Sequence, residues 1–276
     1  MSDVYSTPLL VGLVLGLLAT GAVAGTLAGL LGVGGGIVIV PVLFLLFDFL
    51  GIPETVAMHL AVGTSLATII PTSISSARAH HSKGAIDLAL LRGWAPFIFA
   101  GALAGGIAAK YLSSAFLTAF FGVVALLVAI NMALPRQMNL GAGLPQGSVA
   151  RRILPASIGG FSALMGIGGG TLSVPVLTAF SYPVHRAVGT AAAFGLVIAV
   201  PAVFGFAWAG LDQPDRPPAS LGYVNLVAAV LIFSTSVLTA PWGSSLAHRL
   251  NARALKRVFA LFLFLTSIRM LWSVLL

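Results

Sequence analysis

Charge is what this sequence has least of. Only 7% of its 276 residues are charged and six are acidic, whereas soluble domains carry about 25% charged residues. A chain so poor in charge cannot clothe a water-facing surface. Cysteine is absent, which excludes disulfides, thiolate metal sites and thiol-relay chemistry. No acidic residue is secure inside an apolar run; Asp87 only marks the start of one. A carboxylate proton relay therefore has no obvious member, and a bound cation would lack the negative charge it needs. No paired-carboxylate, metal-ligand or nucleotide-binding constellation is present, so neither metal nor cofactor is expected. The Gly32–Gly36 stretch superficially suggests a phosphate loop. It lacks the strand–loop–helix context and the terminal Gly-Lys-Ser/Thr of one.

The formal charge of +8 is not a nucleic-acid signal either. The cations sit in short connections, without the basic, aromatic-interleaved face that nucleic acid requires. What remains is hydrophobic: 59% of residues, a mean hydropathy of +1.08, and recurring apolar runs of about 20 residues, the length that crosses a bilayer. The fold class expected is an all-α polytopic membrane protein, since lipid leaves unpaired backbone groups without partners. The runs predict helices at 8–31, 36–50, 55–76, 86–109 and 114–134. After a polar linker, 135–152, more are predicted at 153–165, 170–181, 185–210, 222–247 and 254–275. The first run lacks a basic leader and is read as a retained helix, not a cleaved signal. The runs at 36–50, 153–165 and 170–181 are too short to span comfortably. The first two runs of each half therefore either span or form re-entrant hairpins meeting near the midplane.

Loop charges set an orientation through the positive-inside rule. Arg78, Lys83, Arg136, Arg151, Arg152, Arg186, Arg249, Arg253, Lys256 and Arg257 fall in one set of connections. Asp48, Glu54, Asp212 and Asp215 fall in the other. Placing the basic set in the cytoplasm puts both termini outside an inner membrane. It also gives each half five segments, an odd number, so the halves (1–140 and 153–276) are inverted relative to one another.

The halves also resemble each other in sequence. Residues 29–43, GLLGVGGGIVIVPVL, align with 163–177, ALMGIGGGTLSVPVL, with nine of fifteen positions identical. His59-Leu-Ala-Val-Gly-Thr64 aligns with His185-Arg-Ala-Val-Gly-Thr190, and Gly84-Ala-Ile-Asp87 more weakly with Gly222-Tyr-Val-Asn225. Inverted repeats with Gly/Pro-interrupted segments at matching places are typical of secondary transporters, whose substrates sit where the broken helices meet. A broken helix offers free N–H groups and a partial positive charge to a small anion. Three glycines in a row permit the turn and the ligand's close approach. Pro41 and Pro175 each remove one further ladder bond. The competing reading is that the glycines only let helices pack closely.

The duplicated G-x-GGG-x4-P-V-L blocks, each followed by A-V-G-T, resemble the TauE/SafE family of sulfite and organosulfonate exporters over nearly the whole chain. The resemblance implies transport of a small sulfur-containing anion such as sulfite, sulfoacetate or a related sulfonate, coupled to a gradient of H+ or Na+. Ala191 stands where the first copy has Ser65, so the two copies are not equivalent. A distantly related group of thiosulfate transporters works through cysteines, a mechanism this chain cannot use.

The candidate site is therefore made of backbone amides at Gly32, Gly34, Gly35, Gly36, Gly166, Gly168, Gly169 and Gly170. Hydroxyls at Thr64, Ser65, Thr190, Thr171 and Ser173 are candidate donors, unless they bond back to their own helices. His59 and His185, at matched positions, are candidate proton or anion partners or else interfacial residues. Arg269, inside the last apolar run, is a functional candidate by position or a snorkelling side chain near the chain's end. Arg78, His80 and His81 are explained by orientation and lipid head groups. An anion channel or a carrier of another small solute is the alternative. An intramembrane enzyme would have only His59 with Ser65 as machinery.

Overall fold

The computed structural model describes residues 7–32, 34–133, 141, 143–144, 147–246 and 252–275, with backbone alone at 252–259 and 275. Asp3, Arg136 and Arg249, and the side chains of Arg253, Lys256 and Arg257, lie outside the described residues. Among the described residues, ten α-helices run in order: α1 (Thr7–Leu31), α2 (Gly36–Phe49), α3 (Glu54–His81), α4 (Leu88–Ala108), α5 (Ser114–Ala133), α6 (Ala150–Met165), α7 (Gly170–Ala179), α8 (Val184–Ala209), α9 (Leu226–Leu246) and α10 (Ala252–Leu275). A 3-10 turn, Ala109–Tyr111, joins α4 to α5. Six helices (α1, α3, α4 with its 3-10 extension, α5, α8 and α9) are long and apolar enough to cross a membrane. Large apolar side chains such as Phe204 of α8 and Leu238 and Trp242 of α9 are exposed on their outer faces, as is Trp272 on α10. Patches of this kind are uncommon on soluble monomers. The chain is an α-helical, multi-pass membrane protein.

Helix ends obey the sequence's own punctuation. Gly32, with φ +67°, ends α1, and Gly35, with φ +77°, precedes α2. Asp87 caps α4, its Oδ1 accepting from the Leu90 N–H at 3.0 Å. Asn225 does the same for α9 through the Ala228 N–H at 2.9 Å; each satisfies one orphan donor of a first turn. The segment expected to be helical from 222 instead opens with two-residue strands, Ser220–Leu221 and Val224–Asn225, turning at Gly222, φ +55°. That left-handed glycine and the Asn225 cap postpone the helix to Leu226. At about 1.5 Å per residue, α6 and α7 fall short of a bilayer's ~30 Å, whereas α1 is long enough to span.

α3 and α8 form the centre. Buried residues make up 78% and 61% of their most apolar stretches, against 22–39% in the other four long helices. Around them, α1 and α3 pack on α9, α6 and α8 pack on α4, α2 packs on α3, α7 on α8, and α5 on α10. Small residues carry the closest of these contacts. A Cβ on Gly21, Gly25 or Gly29 would collide with backbone of α9, and one on Gly101 with backbone of α6. Without a hydrophobic drive between helices in lipid, such close approach supplies much of the association energy.

The beginning of α3 lies against the end of α4, where His59 Nε2 donates to the Ala109 and Leu112 carbonyls at 3.0 and 3.1 Å. The beginning of α8 lies against the beginning of α4, where Thr190 Oγ1 accepts from the Asp87 N–H at 2.9 Å. The two central helices thus start from opposite ends of α4. Connections sort the same way: Arg186 pairs with Asp87 at 3.8 Å at one end, and Lys110 with Asp212 at 3.5 Å at the other.

Candidate functional site

The two glycine corners meet backbone to backbone. A Cβ on Gly34 would stand 2.7 Å from the Cα of Gly168. One on Gly36 would run into the Gly166 carbonyl and come within 2.9 Å of the Ile167 Cα. Each corner also presses on the A-V-G-T block of the other half. Gly32 would meet the Val188 carbonyl at 2.6 Å, and Gly166 would meet the Val62 Cα at 2.8 Å. All the candidate glycines are buried. Absence of side chains is what allows this meeting, and it brings the beginnings of α2 and α7 into one buried region. At each beginning, leading N–H groups lack intrahelical acceptors and carry the positive end of the helix dipole.

The threonines of the A-V-G-T blocks work across the halves. Thr64 Oγ1 accepts from the Asn225 N–H at 2.9 Å, as Thr190 accepts from Asp87. The glycine before each threonine makes room for that crossing. A Cβ on Gly63 would collide with the Tyr223 carbonyl, and one on Gly189 would lie 2.9 Å from the Ala85 Cβ. All three sequence blocks therefore converge on one pair of matching junctions. Ser65 adds a third cross-half bond, donating to the Gly166 carbonyl at 2.7 Å; Ala191 has no hydroxyl with which to repeat it.

Thr171 and Ser173 differ from these. Both are buried, and neither hydroxyl has a partner among the described residues. Neither bonds back to its helix, unlike Thr72 and Thr178. Sequence reasoning overlooked Ser73 of α3, also buried and unpartnered. It sits inside a helix with no motif around it, and only the structure reveals what it faces. A Cβ on Gly195 of α8 would run into the Ser73 Oγ and stand 3.7 Å from the Gly169 amide nitrogen. Ser162 is likewise buried, with no partner among the described residues.

The histidines are not a matched pair in space. His185 is exposed at the start of α8, whereas His59 is buried and stacks on Tyr223, ring centroids 4.6 Å apart. With Nε2 donating to carbonyls, His59 keeps Nδ1 as an acceptor, unpartnered among the described residues. It is not bonded to Ser65, whose hydroxyl donates to the Gly166 carbonyl. His80 is a correction to the head-group reading. It is buried, with Nε2 bonded to the Gly29 carbonyl at 2.9 Å, because a step of about 100° per residue turns it inward while His81 faces out. Arg269 lies on the exposed face of α10.

At the junction outside the spans, Asp87 also accepts from the Tyr182 hydroxyl. That bond, chiefly, holds the Asp87 carboxyl below its usual range. Burial and the same bond push the Tyr182 phenol up to about 12. The described residues hold no cluster of three or more metal-ligating side chains.

These features define a polytopic membrane protein with two broken-helix corners meeting in its interior. Comparison with known proteins gives the family. The sulfite exporter TauE/SafE profile matches residues 17–270, and the chain belongs to that family. It is 38% identical over 256 residues to a "Probable membrane transporter protein" of Haemophilus influenzae, covering 92% of this chain and 96% of that one. A protein of the same printed description from Methanocaldococcus jannaschii is 28% identical, covering 87% and 88%. One from Bacillus subtilis is 33% identical, covering 63% and 71%. No solved structure matches significantly.

Proposed function

We propose that this protein is a secondary transporter that carries a small sulfur-containing anion of the sulfite and sulfonate class across the inner membrane by alternating access. The anion is seated between the two glycine corners, held by amides and hydroxyls, while one half, 1–140, rocks against its inverted partner, 153–276. Both termini face outward, and a gradient of H+ or Na+ drives the cycle. The observation that carries the reading is the apposition of Gly34 on Gly168. It brings two helix beginnings from different halves together in the interior, and no buried side chain among the described residues is Lys, Arg, Asp or Glu. Positive helix ends with no competing carboxylate suit an anion. Family membership supports the same substrate class. The opposed starts of α3 and α8, and the paired Thr64 and Thr190 junctions, support the inverted arrangement.

The test is flux in liposomes holding the purified protein, with sulfite, sulfoacetate and a simple alkanesulfonate offered under imposed H+ or Na+ gradients. Saturable, gradient-dependent flux of at least one is expected, and Gly169→Leu should abolish it with membrane insertion intact. Non-saturating flux indifferent to either gradient would make the protein a channel; no flux of any sulfur oxyanion would remove the substrate class.

A further inference from the structure

Resting on that reading, we infer that the anion seat is one-sided and electrically neutral. It lies on the beginning of α7 rather than midway between the corners, Ser73 and Ser173 are its hydroxyl donors, and it takes a monovalent oxyanion in preference to a divalent one.

The corners share their glycines but differ in the residues immediately after them. Gly36 leads into Ile37, Val38 and Ile39; Gly170 leads into Thr171, Leu172 and Ser173. The first turn of α2 therefore offers amides walled by aliphatic side chains, all buried. The first turn of α7 offers amides beside hydroxyls. A helical side chain leans back over the turn before it, so Ser173 covers the Gly169–Gly170 side of its helix. Ser73 reaches that neighbourhood from α3. The position a Gly195 Cβ would take is crowded by Ser73 Oγ and lies 3.7 Å from the Gly169 nitrogen. Ser73 is 1% exposed and Ser173 0%, and neither hydroxyl has a partner among the described residues. A buried hydroxyl without a partner costs free energy, and a ligand that accepts from it removes that cost. Thr171, two residues before Ser173, points to the other side of α7 and flanks the seat from there.

Selectivity arises from what is missing. With no Lys or Arg side chain among the buried described residues, only amides, hydroxyls and a helix dipole compensate the ligand's charge. The cost of burying an ion grows with the square of its charge, so a dianion loses about four times the solvation of a monoanion of equal size. Hydrogen bonds from neutral donors grow far less steeply. An alkanesulfonate or hydrogensulfite is favoured over sulfate or the sulfite dianion.

The experiment is equilibrium binding to the purified full-length protein in detergent. Methanesulfonate, singly charged throughout, is compared with sulfate, doubly charged throughout, and with sulfite as the medium is acidified toward hydrogensulfite. Methanesulfonate should bind at least about tenfold more tightly than sulfate, and sulfite binding should strengthen on acidification while methanesulfonate binding stays level. Ser73→Ala and Ser173→Ala should each weaken methanesulfonate about tenfold, the usual loss of one hydrogen bond to a charged group. Ile39→Ala, on the other corner, should leave it within about twofold. If sulfate binds as well as methanesulfonate, or the two serine variants bind like the parent, the one-sided neutral seat is wrong while anion transport stands. If the parent binds none of the three and Gly169→Leu still carries out the parent's flux, the glycine-corner reading falls and this inference with it.

Discussion

The corner at Gly32–Ile39 and the corner at Gly166–Ser173 share their glycines, and they differ in backbone conformation and in polarity. In the first, Gly32, Gly34 and Gly35 all adopt left-handed backbone, with φ of +67°, +73° and +77°. In the second, Gly166 alone of the described glycines does so, at +65°, and Gly169 is right-handed with φ −57°. The first corner is a left-handed turn that only glycine adopts without strain, sealed by isoleucines. The second is a turn with fewer left-handed residues, whose hydroxyls have no partner among the described residues. On the reading proposed above, polar residues at two matching positions (Thr171 against Ile37, Ser173 against Ile39) mark the second corner as the one for a ligand.

The largest effect is expected where strain and contact coincide. Gly34→Ala places a Cβ on left-handed backbone and 2.7 Å from the Gly168 Cα, so two main chains must separate. A loss of about 3 kcal/mol or more is expected, read as a large fall in the thermal midpoint in detergent. Gly51→Ala is the control. Its φ is +71°, but nothing lies within 4 Å of the added methyl, so the left-handed penalty of about 1–2 kcal/mol acts alone. Equal losses would show that the corners do not bear on one another.

A smaller loss should result from Ser65→Ala. It leaves the buried Gly166 carbonyl without the hydroxyl that reaches it at 2.7 Å, a cost of about 1–3 kcal/mol. The second copy has lived without that bond at Ala191. A neutral Ser65→Ala would mean that the asymmetry between copies has no energetic content.

Thr171→Val should move stability and function in opposite directions. Deleting a buried hydroxyl with no partner among the described residues should raise stability by about 1 kcal/mol, while flux falls. Ile37→Val, its counterpart, should cost about 1 kcal/mol through lost packing and leave flux close to normal. If both variants keep full flux, the second corner has no special standing.

Much of this was legible beforehand because lipid forbids alternatives. All ten helices appear within a few residues of the apolar runs, except where Gly222 and Asn225 delay α9. The repeat blocks likewise mark the junctions, since Thr64, Thr190, Asp87 and Asn225 all fall inside them. What sequence could not give was direction around a helix and identity across a gap. Ser73 has Ala199 at the repeat-related position (73 + 126), so no internal match flags it; its interest comes from Gly195 opposite. His59 and His185 match in sequence and differ in burial, because Tyr223 and the Ala109–Leu112 turn cover only the first.

The smallest expected effect compares the two junctions rather than the corners. Asp87 and Asn225 occupy matching caps, but only Asp87 titrates. Its folded pKa lies below the ordinary 3.8, chiefly through the Tyr182 hydroxyl, with Arg186 helping least. A depressed carboxyl contributes stability that is present above its unfolded pKa and is lost as pH falls through the folded value. The thermal midpoint should therefore hold level down to about pH 4 and decline below it. Tyr182→Phe removes the main cause, so the folded pKa moves back toward 3.8 and this contribution shrinks at neutral pH. The variant's melting temperature should then drop slightly at neutral pH and converge on the parent's in acid. Asp87→Asn makes this junction resemble the other, and in that background the effect of Tyr182→Phe should no longer vary with pH. A parent and a Tyr182→Phe variant that differ by the same amount at every pH would show that the hydroxyl acts on packing alone, and that the carboxylate adds nothing the amide at Asn225 lacks.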